Sequence, residues 1–361
     1  MQKTPDRDVT RRDFFRKAAL GAVGAGALVA GSCQKPVPEG ESTSVTEAPA
    51  PVQRQPAQPA APTPAPSGGG KSKVVIAHHS GVTANAEVLE APLGQMIDKA
   101  VMELSGEDSA DKAWQKYFSS DEVVGVKVNG LGGPSMATSV VLTKLCVERL
   151  QGIGVAADNI IIWDSNRGFL ANCGLQVPSM WGARVMTMGD EWDNVVEQGS
   201  FRGPITAIVT KRVDSYLNLP IMKDHGGAGI TLAMKNHYGS HQNPSDHHGN
   251  RCDPYIADLN TIPAIRDKQR LIICDGTRGQ AKGGPSFNPQ YAWNPNLVMA
   301  AVDRVAHDTV GWQIIEAKRK EFGLGPIERD GGMPKQLISA TERGLGTNDL
   351  AQIEKVDLDL A

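Results

Sequence analysis

Residues 123–163 read VVGVKVNGLGGPSMATSVVLTKLCVERLQGIGVAADNIIIW, and this stretch decides the fold class. Its two ends, Val123–Val128 and Asn159–Trp163, are short β-branched runs. Apart from Lys127 they lack polar alternation, as strands buried on both faces do. Between them Val141 and Leu145, and the set Leu142, Cys146, Leu150, recur at helical spacing, with Thr138 or Ser139 placed as the cap. Working outward, Val74–Ala77, Ala207–Val209 and Leu271–Cys274 read as further strands, and Asn296–Phe322 as a second long helix. The chain from Gly323 is polar and loop-rich, with a weak strand at Gln336–Ala340. Such alternation predicts an α/β fold: a mainly parallel sheet with helices on both faces.

The 361 residues are 40% apolar, which excludes wholesale disorder. No apolar run reaches the ~18 residues of a membrane span, which excludes a polytopic membrane protein. The formal charge is −3, but residues 1–32 hold six Lys/Arg against three Asp/Glu, leaving 31 basic against 37 acidic residues beyond them. A mildly acidic body without a basic stripe argues against a nucleic-acid partner.

The basic excess marks an address. Residues 10–17 pair two arginines with two aromatics and more positive charge, and an Ala/Gly-rich apolar run follows from Ala18 to Ala30. Residues 1–32 therefore resemble a twin-arginine (Tat) export signal, removed before folding arguments apply. The run ends Val29-Ala30-Gly31-Ser32-Cys33, a relaxed lipobox that makes Cys33 the expected lipidated residue, with plain cleavage after Ser32 as the alternative. Residues 34–70 contain nine Pro and no aromatic residue, too little apolar surface to offset ordering entropy. Residues 33–70 thus read as a disordered tether, and residues 71–361 as a single α/β domain. The expected localisation is exported, periplasmic or at the envelope surface, with the Tat machinery and, through the lipid, the membrane as partners. Because that route carries folded proteins, it raises the expectation of a cofactor or metal loaded before crossing.

Cysteine usage narrows the cofactor. Cys146, Cys173, Cys252 and Cys274 form no Cys-x-x-Cys pair, so an iron–sulfur cluster motif is absent from the sequence. Cys146 and Cys274 lie on apolar patterns and read as core. Cys173 and Cys252 lie in polar segments, where an exported protein can form a disulfide.

The chemistry concentrates between Lys223 and Asp258. Five of eight histidines fall there: His225, His237, His241, His247 and His248. Imidazole is the commonest transition-metal ligand near neutral pH, so these five are the candidate metal ligands, the metal's identity being open. His237 and His241 stand at i, i+4, although Gly239 can end the helix between them. Asp224, Asp246 and Asp253 could add oxygen ligands or orient an imidazole. Lys223 and Lys235 flank a Gly-rich turn and invite a second reading, a grip on phosphate or carboxylate helped by a helix start near Gly229. Lys127, inside an apolar strand, and Asp164 and Asp275, each at the carboxyl end of a strand, are candidates for the same cleft, since α/β folds place sites there. Asp303, with His307 and Asp308, opens the last long helix. Gly132-Gly133-Pro134-Ser135 and Gly283-Gly284-Pro285-Ser286 echo one another, each downstream of a strand.

These pieces together resemble the family catalogued as domain of unknown function 362. The resemblance rests on Val126-Lys127-Val128-Asn129, the strand ending at Asp164, Leu219–His225, Leu232–Asn236 with Gly239, Ala257–Asn260, Ile273–Gly276 with Gly284-Pro285, and Val302-Asp303 with Asp308. It covers about residues 120–312 and implies an α/β domain of unassigned activity. Many members carry an appended ferredoxin-like module, and this chain lacks the cysteines for one. The leading expectation is an exported protein binding a transition metal or metallocofactor through the His-rich loop, with metal-assisted or redox chemistry on a small anion. The alternative is an anion- or solute-binding accessory module, or a scaffold of an envelope complex, without catalysis. Whether it is an enzyme stays open.

Overall fold

The computed structural model describes residues 70–361. The expected export signal, Cys33 and all but the last residue of the tether therefore lie outside the described residues. In chain order the elements used below are β1 (Ser72–His78), α1 (Glu90–Ser105), α2 (Ala110–Gln115), β2 (Val124–Lys127), α3 (Val140–Gly152), β3 (Ile160–Asp164) and β4 (Ala183–Thr187). They continue with β5 (Trp192–Gln198), β6 (Phe201–Thr206), β7 (Ser215–Asn218), β8 (Ile221–His225), α4 (Leu232–Lys235) and α5 (Tyr255–Thr261). Last come β9 (Gln269–Gln280), β10 (Leu297–Ala301), α6 (Arg304–Glu321), α7 (Lys335–Glu342) and β11 (Ile353–Asp359).

The main sheet runs β11-β1-β10-β9-β7-β2-β3-β4. β9, β7, β2, β3 and β4 pair in parallel, as do β1 and β11, while β10 runs antiparallel to both its neighbours. The fold is α/β with a mostly parallel sheet. Strand side chains alternate between two cores. Val75, Val124, Val126, Ile160 and Ile162 pack under α1, α2 and α3, through Met96, Trp114, Leu142 and Cys146 among others. Val74, Ile76, Ile161, Trp163 and Tyr216 pack on the other face with Ile256, Val305, Val310 and Leu337 of α5, α6 and α7. Covering both faces is what makes the strand sequences continuously apolar rather than alternating.

Caps fix where the helices begin. Ser139 accepts from the amides of Val141 and Leu142, so α3 starts one residue after it. Asp303 accepts from Val305 and Ala306 at the start of α6, and its other oxygen takes the Ser72 hydroxyl of β1 at 2.6 Å. Each such cap contributes about 1 kcal/mol.

Four expectations change. Ala207–Val209 is not a strand: β6 ends at Thr206, and Ile208–Arg212 form a π-type turn. The buried apolar side chains of Ile208 and Val209 gave a burial signal, which in so short a run does not distinguish strand from helix. Asn296–Phe322 is two elements, because Leu297–Ala301 is a buried strand between β1 and β9 and the Asp303 cap starts the helix only afterwards. Gln336–Ala340 is helical, with Leu337 and Ala340 three apart on one buried side, and the supposed loop-rich end supplies the edge strand β11. Finally, Cys173 and Cys252 are both buried, free and in different cores on opposite faces of the sheet, so no disulfide joins them. Cys146 and Cys274 are core residues. Among the described residues no helix is long and apolar enough to cross a membrane.

Candidate functional site

The parallel strands β2, β3, β7, β8 and β9 deliver their carboxyl ends to one region, and the loops after them carry the predicted polar residues. Between Asp275 and Gly279, β9 bulges: Ile221 pairs with Asp275, yet the next residue, Met222, pairs with Gly279. The shift lets β8 extend beyond its neighbours and brings Lys223, Asp224 and His225 over the strand ends.

Lys127 points from β2 into this region, fully buried, and donates to Asp164 Oδ1 at 2.9 Å, Asn236 Oδ1 at 3.2 Å and the Val128 carbonyl at 2.5 Å. Asp164 also accepts from the amides of Gly130 and Ser165, both at 2.7 Å. Asn129 bridges Asn236 to Lys223, and Asn236 passes the network on to Asn218. Lys223 donates to Asn129 Oδ1, to the Met136 carbonyl at 3.3 Å and to the Leu131 carbonyl. Burial pushes Lys223 down to about 7, yet its three acceptors use all three protons of an ammonium. Asp224 accepts from the amides of Gly283 and Gly284 and from Gln280, its carboxyl raised by burial. The two echoed Gly-Gly-Pro-Ser loops thus meet around Lys223 and Asp224, and a Cβ on Gly132 would come within 2.7 Å of the Pro285 carbonyl oxygen. Asp275, raised by burial, braces its own bulge through Thr277 and the start of α3 through the Ser139 amide at 2.7 Å. These groups are saturated by protein partners. They build a frame.

The polar groups without such saturation gather at α4. Leu232 adopts a left-handed φ of 49°, which turns the next two amides together. Asp308 of α6 accepts from both, Ala233 at 2.8 Å and Met234 at 3.0 Å, and from His307 at 2.7 Å. So α4 is held at its start by a buried carboxylate, and Gly229 lies in a two-residue strand rather than at a helix start. One residue after Met234, Lys235 is 6% exposed. Its Nζ sits 3.1 Å from the Tyr238 ring centroid and 3.4 Å from His248 Nε2, and no carboxylate of the described residues forms an ion pair with it. Burial pushes its amine from 10.5 down to about 7.

The histidines divide by what their nitrogens do. His225 is held neutral, well below its ordinary range, by burial and then by the charge of Lys235. Its Nδ1 accepts from the amides of Gly227 and Ala228, both at 3.0 Å, so its proton resides on Nε2. His248, lowered to about 4 by burial and Lys235, donates from Nδ1 to the Pro244 carbonyl at 2.7 Å, leaving a lone pair on Nε2 that faces Lys235. The His225 and His248 rings stack with centroids 5.8 Å apart, and His248 is exposed. His237 is fully enclosed: Tyr216 gives its only proton to the Ile265 carbonyl, so His237 Nε2–H donates to Tyr216 while Nδ1 takes the Ser240 hydroxyl. Gly239 ends the helical turn, and His241 lies beyond it in extended backbone. His241 and His247 pack edge to face at 5.0 Å in a cluster with Phe201, Tyr238 and Tyr255. Of the acidic residues, Asp246 is exposed and Asp253 Oδ1 is buried without a partner. Among the described residues no three His, Cys, Asp or Glu side chains are grouped to hold a metal ion.

The structure therefore brings together Lys235, His225 and His248, and separately Lys127, Asp164 and Lys223, while His237 and Asp275 are hydrogen-bonded elsewhere. His241 Nε2 and His247 Nδ1 are buried without a partner in their aromatic cluster, with no third ligand grouped beside them among the described residues. Sequence reasoning missed Tyr238 as the floor under Lys235 and Asp308 as the anchor of α4. The Lys235-Asn236-His237-Tyr238 run displays the aromatic, but only the fold turns its ring toward the amine. A cavity of about 240 Å³ between α1 and α3, lined by Gly94, Asp98, Leu145 and Arg149 among others, lies away from all these groups, and its Arg149 is already paired with Asp98.

Comparison with known proteins adds one finding. A family model described as Domain of unknown function (DUF362) matches residues 124–313, the span from β2 into α6. No curated protein matches the chain.

Proposed function

The chain belongs to the DUF362 family, whose name states no activity, and from the site we propose that the mouth over α4 binds a small anionic ligand, a carboxylate or phosphate. One observation carries this reading: Lys235 is a buried cation with no ion-pair partner among the described residues, beside an imidazole whose free nitrogen bears a proton. An unpaired buried ammonium is costly, and an anion placed between it and His225 Nε2–H would relieve that cost through charge-assisted hydrogen bonds.

The nitrogens favour this over the transition-metal reading. A metal needs lone pairs aimed at one point, whereas His225 presents a donor and His237 spends both nitrogens inside the protein. The amino-terminal reading is compatible with it: we propose a Tat-exported, lipid-tethered protein that meets its anion at the cell envelope.

Thermal unfolding of protein purified without a His tag, in low-salt buffer, tests the proposal. Lactate, oxalate or phosphate is expected to stabilise saturably, by about 2.7 kcal/mol at a hundredfold excess over Kd. Lys235→Met is expected to abolish the effect. Stabilisation by divalent metals alone, or anion stabilisation that survives Lys235→Met, refutes it.

A further inference from the structure

We propose that Lys235 is a nucleophilic amine that forms an imine with the carbonyl carbon of a small 2-oxo acid. The inference rests on the anion-site reading and names its substrate class.

Among the deeply buried lysines Lys235 alone is equipped for this. Lys127 and Lys223 each have three oxygen acceptors, which hold three ammonium protons and leave no nitrogen lone pair. Lys235 has instead the face of Tyr238 and the lone pair of His248 Nε2. A lysine desolvated by burial is one of the usual ways a protein keeps an amine reactive. The neighbouring groups also suit the acid. His225 Nε2–H is a donor for the carboxylate, His248 Nε2 is placed to take the amine's proton, and Tyr238 keeps water from one side.

The step balances without an oxidant or reductant. Lys235 passes a proton to His248 Nε2, and the freed nitrogen pair attacks the carbonyl carbon. A C–N bond forms as the carbonyl π pair moves to oxygen. That oxygen takes the proton from His248, giving a carbinolamine. The nitrogen then gives up its second proton, the hydroxyl leaves as water with it, and a C=N bond remains. Amine plus 2-oxo acid thus become imine plus one water.

The test treats the full-length protein with pyruvate and cyanoborohydride, followed by intact mass and peptide mapping. The expected product is one carboxyethyl group, concentrated on Lys235 over exposed comparators such as Lys112 and Lys211, whose side chains are 59% and 53% accessible. Lactate, the same anion without the ketone, is expected to protect. Lys235→Arg, which keeps the charge, is expected to bind lactate yet take no label. Label spread evenly over surface lysines, or unchanged in Lys235→Arg, overturns the proposal. Lactate binding without trapping sinks the imine and leaves the anion site standing, whereas neither binding nor trapping sinks both.

Discussion

Replacing Asp164 with Ala strikes the frame of the site at its most buried charge pair. The Lys127 side chain is 0% accessible and that of Asp164 5%, with 2.9 Å between the charged atoms. The substitution leaves the ammonium with only neutral acceptors and strips the Gly130 and Ser165 amides of theirs. Breaking a buried pair from one side costs about 3–5 kcal/mol, because the surviving charge stays buried without compensation. For a chain of this size that is a fall in Tm on the order of 10 °C. Removing both charges in Lys127→Met/Asp164→Ala takes away the attraction and the stranded charge together, so the double variant is expected to be more stable than Asp164→Ala alone. Urea unfolding of wild type, both single variants and the double closes the cycle. Single variants each within about 0.5 kcal/mol of wild type, or a double equal to the sum of the singles, would refute the view that this pair is a coupled, fully desolvated unit.

Other outcomes follow from the same geometry. Burial lowers the Lys235 amine from 10.5 to about 7, so between those values the unfolded chain holds a proton that the native state has released, and stability rises with pH. This group contributes at most about 1.4 kcal/mol per pH unit, and Lys235→Met is expected to flatten that part of a stability–pH curve measured by urea unfolding. An unchanged slope in the variant counts against the assignment. Gly239→Ala would place a methyl 2.5 Å from Asp164 Oδ1 and 2.8 Å from Lys127 Nζ. A loss of about 1–3 kcal/mol by denaturant titration is expected, and a neutral result would mean that the turn after α4 stands off from the pair. Asp308→Ala orphans the amides of Ala233 and Met234 and the His307 ring. It is expected to cost about 2–3 kcal/mol and to weaken lactate binding as Lys235 loses its aim, with intact binding as the contrary result.

Much of the frame is legible in the sequence. Unbroken apolar runs announced strands covered on two sides, and a lone lysine within one of them, Lys127, marked the polar end of the sheet. The echoed loops were visible as well, though only the bulge in β9 explains why they meet. What stayed hidden depends on long-range placement. His237 reads as a ligand because its sequence neighbours are polar, yet its partners Tyr216 and Ile265 arrive from elsewhere and fix its proton. Likewise Asn250, Arg251 and Cys252 all adopt left-handed φ, at 47°, 63° and 62°, without a glycine among them. Asn250 tolerates that conformation and ties its side-chain amide to the Asp253 carbonyl, but Arg251 and Cys252 have no such local aid, so the surrounding fold must impose it on them.

The place of β1 in the sheet bears on how the molecule takes a mechanical load. Ser72–His78 lies between β11 and β10, paired with β11 along its whole length and with β10 from Val74 to His78. Traction applied at residue 70 along the strand acts across those bonds rather than in line with them, so two ladders must slide together before either yields. A strand at the rim, pulled the same way, would have one ladder to resist instead of two. A protein held by its amino-terminal end would in this way pass a pull into a strand flanked on both sides rather than into the sheet's edge.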